Sequence, residues 1–105
     1  MIEAKIDEII DKQLAKLSFV SAIDIKCFVD HRIKPKPIRL SLDTEGNEWR
    51  ECYLITDHNG KDDSPYRAAF DPKYNKFVRE VTLENDIPHY LGRYPTLEDL
   101  VDEFA

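Results

Sequence analysis

Three histidines and two cysteines are the side chains of this chain whose ordinary chemistry reaches catalysis near neutral pH. His58 directly follows Asp57, and a carboxylate beside an imidazole is a pairing that general acid–base work uses. His89 precedes Tyr90 and comes near Glu80 if the last two strands pair. A nucleophilic arrangement needs Cys27 or Cys52 beside His31 or His89, because a thiol requires a neighbouring base or cation to become a thiolate. No spacing ties any of these pairs to an oxyanion donor or a substrate-binding motif. The only glycines, Gly46, Gly60 and Gly92, stand too far apart for a phosphate-cradling loop. The expectation is a protein that is not an enzyme.

The cysteines are too few for a secreted disulfide framework and lack zinc-site spacing. They are expected to be reduced thiols on strands. Residues 57 to 63, DHNGKDD, have the composition of a calcium loop, but the glycine is misplaced and Ala68 stands where the bidentate Glu belongs. Ordinary turn chemistry accounts for the run, so neither a metal nor a cofactor is expected.

Charge says more. A net charge of −6 opposes nucleic acid as the main partner, since phosphate binding needs a cationic surface, and it suits a basic protein partner. The acids gather in the turns and near the C-terminus. Together with one aromatic residue in a turn, they give the candidate partner-binding set: Asp62, Asp63, Tyr74, Glu84, Asp86, Glu98, Asp99, Asp102 and Glu103. The locally basic part is the region of Lys26, Arg32, Lys34, Lys36 and Arg39.

The elements that position these residues follow from apolar periodicity. Ile2, Ile6, Ile9, Ile10, Leu14 and Leu17 share one side of a helical wheel, so residues 2 to 18 are expected to form an amphipathic helix. Its polar face is too acidic for a membrane surface, which places its apolar face on a sheet. From 23 to 33, Ile23, Ile25, Cys27, Val29 and Ile33 alternate with polar residues; this predicts a strand, with His31 facing inward. Pro35 and Pro37 break that strand into a connector or sheet edge, and residues 38 to 42 resume.

Residues 49 to 94 then read as a β-meander, apolar runs separated by turn signals. Residues 49 to 56 carry apolar groups on both faces and are expected to be central in the sheet. Across the 71–75 turn, setting Phe70 opposite Phe77 places Arg67 opposite Glu80 and Tyr66 opposite Val81, a charge pair and an apolar pair that support the register. Gly92 marks a bulge or close approach in the last strand. Thr96 caps a closing helix whose apolar stripe is Leu97, Leu100, Val101 and Phe104.

The expected fold is a single α+β domain over residues 1–105: an N-terminal helix, an antiparallel meander of five or six strands and a short C-terminal helix, the helices on one sheet face. No apolar run approaches the roughly 20 residues of a membrane span, and the first residues lack the basic and apolar regions of a secretory leader, so a cytoplasmic protein is expected. In size, acidity and lack of motifs the chain resembles the bacterial immunity proteins that neutralise toxic nucleases. That resemblance implies a small inhibitor acting by sequestration and carries over no site residue. Two alternatives remain open. A ligand binder or enzyme would gather His89, Tyr90, Arg79 or Cys52 in a sheet-face pocket, and a subunit of a homo-oligomer would expose an apolar patch or an unpaired edge such as residues 38 to 42.

Overall fold

The computed structural model describes residues 1–17, 21–43, 45–60, 64–82 and 86–102. The order of elements is α1 (Ile2–Leu14), α2 (Ala22–His31), β1 (Arg32–Ser41), β2 (Trp49–Thr56), β3 (Tyr66–Asp71), β4 (Lys76–Thr82), β5 (Pro88–Tyr94) and α3 (Leu97–Asp102). The fold is α+β: an N-terminal helix, an antiparallel five-stranded meander and a short C-terminal helix. Among the described residues, no helix is long and apolar enough to cross a membrane.

Residues 23 to 31, expected as a strand, are helical. Ser21 caps α2 by accepting a hydrogen bond from the Asp24 backbone N–H at 3.1 Å, and Lys26 pairs with Asp30 one turn on at 2.6 Å. The apolar alternation there does not reflect burial: Ile23 is 71% and Val29 49% exposed, whereas Phe28, assigned to the polar face, is completely buried. Cys27 and His31 therefore lie on a helix, four residues apart. β1 also differs from expectation. It continues through both prolines: Pro35 falls in an irregularity where Arg32 pairs with Thr56 but Lys36 pairs with Leu54, and Pro37 stands in regular register opposite Tyr53.

The hairpin register is as the charge and aromatic pairing predicted: Phe70 opposite Phe77, Arg67 opposite Glu80, Tyr66 opposite Val81. Gly92 adjoins a real irregularity, since Arg79 pairs with Gly92 and Glu80 with Tyr90, leaving Leu91 as the extra residue. A single parallel bridge, Ser41 to His89, joins β1 to β5 and closes the meander into a barrel.

The two faces of the sheet have separate cores. Ile55, Ala68, Phe70 and Phe77, with the half-buried Tyr53 and Tyr94, pack under Ile6 and Ile10 of α1, Phe28 of α2 and Leu97, Leu100 and Val101 of α3. The Phe70 and Phe77 rings meet edge to face, with centroids 5.3 Å apart. On the barrel's inner side, Leu40, Cys52, Ala69 and Val78 form a second, smaller cluster with Ile38 and Tyr90. Polar ties anchor the helices. Arg32 reaches Asp11 at 2.7 Å and Asp7 at 3.1 Å, and the Leu97 N–H donates to Gln13 Oε1 at 2.6 Å, joining α1 to α3.

Candidate functional site

Strand alternation puts Arg67, Ala69 and Asp71 on the inner side of β3. Asp71 ends the strand with no exposed surface, so its charge needs partners. Tyr90 of β5 donates to Asp71 Oδ2 at 2.8 Å, and Arg50 of β2 brings Nη1 to 3.4 Å of the same oxygen. The other oxygen accepts the Lys73 backbone N–H at 2.9 Å, an Asx turn that starts the 71–75 reversal. Asn75 completes the reversal at φ +51°, a left-handed conformation that Asn tolerates.

The turn carries Tyr74 outward, 44% exposed, into a group of cations. The Arg93 guanidinium carbon lies 4.4 Å from the ring centroid, that of Arg50 5.0 Å, and Lys73 Nζ 5.7 Å. Two tyrosines thus flank one arginine–aspartate pair and are displaced in opposite directions. Hydrogen bonding to the Arg50 guanidinium, with the charges of Lys73 and Arg50, holds the Tyr74 phenol below its ordinary range. Burial first, then the hydrogen bond to and the charge of Asp71, push Tyr90 above it. A hollow of about 370 Å³ adjoins the cluster, lined by Ile2, Arg50, Glu51, Tyr53, Pro72 and Lys73.

The acidic set is divided. Asp99 and Asp102 are exposed three residues apart on α3, and Glu98 beside them is half-buried. Asp86 lies before the start of β5, across a seven-residue strand from α3, a span of roughly 20 Å. Tyr74 stands among cations instead of acids. Asp62, Asp63, Glu84 and Glu103 lie outside the described residues.

The sequence pairing of Asp57 and His58 acquires a third member. His31, at the end of α2, has Nδ1 3.1 Å from Asp57 Oδ1, and its ring centroid is 5.4 Å from that of His58. The Gly60 N–H donates to His58 Nδ1 at 2.9 Å, which assigns the proton of the neutral ring to Nε2. The Cys27 thiol points at the Gly60 carbonyl, 3.9 Å away, and a Cβ on Gly60 would stand 2.8 Å from that of Cys27. Glycine is needed there both for this approach and for φ +81°. The cluster staples α2 to the loop after β2.

Cys52 is nearly inaccessible, and burial followed by the charge of Asp71 pushes its thiol up to about 12. It is no thiolate nucleophile at neutral pH. Both cysteines are free. His89 and Tyr90 do share a hollow, about 260 Å³ with Ser41, Leu42, Val81 and Leu91, at the barrel seam. Cys52 lines a different hollow of about 250 Å³ beside Ile38 and Arg39. Glu80 is bound by Arg67 and Thr82 and is not His89's partner.

Comparison with family models, curated proteins and solved structures returned no match. Sequence reasoning had not grouped Arg50, Lys73 and Arg93. The signal for the turn, DPKYN, was visible, but the two arginines come from strands 43 residues apart in the chain (50 and 93), and only sheet register brings them together.

Proposed function

We propose that the chain is a small, non-catalytic, cytoplasmic protein-binding domain that sequesters a basic partner, in the manner of an immunity protein neutralising a toxic nuclease. The observation that carries this reading is the distribution of paired and unpaired charge. Arg32, Arg50 and Arg67 are engaged by Asp7 and Asp11, by Asp71, and by Glu80; Lys12 and Lys26 are engaged by Glu8 and Asp30. Asp86, Asp99 and Asp102 are exposed and make no ion pair among the described residues. α3 itself carries no cation, so its negative field extends into solvent and steers a cationic surface toward it. Two free cysteines fit a reducing compartment.

The test is retention of a basic protein by the immobilised chain at low ionic strength, its release as salt is raised, and its loss when Asp99→Lys and Asp102→Lys are combined. Failure to retain any basic protein at low salt, or undiminished binding by the charge-reversed variant, overturns the reading.

A further inference from the structure

We propose that Arg50, Lys73 and Arg93, gathered around Tyr74, form a binding site for the dianion of a small phosphomonoester, whose organic part occupies the adjoining hollow. In a chain of net charge −6, this cluster places three cations against the single buried carboxylate of Asp71, a local excess of two positive charges. That excess matches a phosphomonoester, which carries close to two negative charges at neutral pH, better than a carboxylate with one.

The geometry suits the same ligand. The Arg93 and Arg50 guanidinium groups lie against the Tyr74 ring, and each fork carries five N–H donors, more than its contacts with Tyr74 and Asp71 use, so donors remain for an oxyanion. The cations come from three elements, β2, the 71–75 turn and β5, and can meet more than one oxygen of a phosphate. Asp71, wholly buried, fixes two of these elements beforehand: it holds the Arg50 side chain and accepts the Lys73 N–H. Arg50 and the turn backbone are thus ordered before binding, which lowers its entropic cost.

Arg50 and Lys73 also line the hollow of about 370 Å³, where Ile2, Tyr53 and Pro72 supply apolar surface. This volume lies within the ordinary range for small ligands, roughly 300–1,000 Å³. Glu51, the acid on its rim, stands opposite Arg39 in the β1–β2 ladder, which offsets its charge.

The experiment is titration of the ¹⁵N-labelled full chain with phenyl phosphate and, separately, with inorganic phosphate and benzoate. Phenyl phosphate is expected to give saturable shifts at Lys73, Tyr74 and Arg93 and to bind about fivefold or more tighter than either control. Lowering the pH from about 7.5 to about 5, through the second phosphate ionisation near 6, weakens binding as the dianion is lost. Combining Arg93→Gln with Lys73→Gln, both exposed positions, weakens it about tenfold or more with the spectrum otherwise native. Absence of saturation at about 10 mM phenyl phosphate, equal binding of benzoate, or undiminished binding by the double variant overturns the proposal. Equal affinity for inorganic and phenyl phosphate overturns the role of the hollow.

Discussion

Among the described residues, the barrel holds two buried carboxylates on its inner side, Glu80 and Asp71, and each is met by an arginine from a neighbouring strand. Glu80 is matched tightly. Arg67 donates from Nε to Oε2 at 2.7 Å and from Nη2 to Oε1 at 3.0 Å, a two-pronged contact, and Thr82 donates to Oε1 as well. Asp71 has a looser cation, at 3.4 Å, and spends its remaining capacity on Tyr90 and on the backbone of the turn that lifts Tyr74. One charge pair is closed within a single hairpin. The other ties three strands together and leaves its arginine shared with an exposed ring. The difference teaches how one barrel separates a lock from a platform: each carboxylate accepts three hydrogen bonds among the described residues, but the two-pronged pair stays within one hairpin, whereas the looser one leaves Arg50 beside the exposed Tyr74 ring.

The largest expected effect comes from breaking the lock. Arg67→Ala strands the Glu80 charge in the barrel and is expected to cost about 3 kcal/mol or more of unfolding free energy by denaturant titration, because an unpaired buried charge keeps its desolvation cost. Asp71→Asn is expected to cost only about 1 kcal/mol in the same measurement, since Asn still accepts the Lys73 N–H and Arg50 can turn to water. Equal losses in the two variants would show that Asp71 is a lock as well, and the contrast would fail.

Alkaline pH discriminates the two ends further. Cys52, raised in the fold from an ordinary 9.0 to about 12, and Tyr90, raised from 10.0, are neutral in the native state. For groups whose native pKa is raised, the stabilisation is fully present below the unfolded value and is lost as pH climbs toward the native one. Unfolding free energy is therefore expected to decline as pH rises from about 9 toward 12. Cys52→Ala should make that decline shallower. An unchanged slope would remove Cys52 from the account. The smallest effect on stability, within about 0.5 kcal/mol, is expected for Asp99→Lys with Asp102→Lys, since both side chains are exposed and unpaired among the described residues. A large loss there would make α3's acids structural and not a binding face.

One half of this contrast is legible in the sequence. The Arg67 and Glu80 pairing followed from hairpin register, because a turn of known length fixes which residues face each other. The Thr96 cap is present, with the Asp99 N–H 3.2 Å from its hydroxyl. Residues 23 to 33 resemble a strand in sequence because Ile23, Ile25, Cys27 and Val29 alternate with polar residues, but this alternation is not one of burial. Ser21 and Asp24, spaced as a helix-start pair, were the contrary signal, and the burial of Phe28 decided the matter. The basic region seen in residues 26 to 39 was a cluster along the chain. The group around Tyr74 is a cluster only in space.

The sequence by itself determined what depends on neighbours within a few residues: helix caps, turns, the 66–82 register, net charge and the two-sided apolar character of β2. The tertiary structure alone decided what depends on closure. It brought β5 to β1 through Ser41 and His89, directed one sheet face inward, and so placed Arg50 and Arg93 around a tyrosine from a third element. The physical reason is that periodicity states which side of an element is apolar, whereas the partner that covers that side is chosen by the summed burial of all the elements at once.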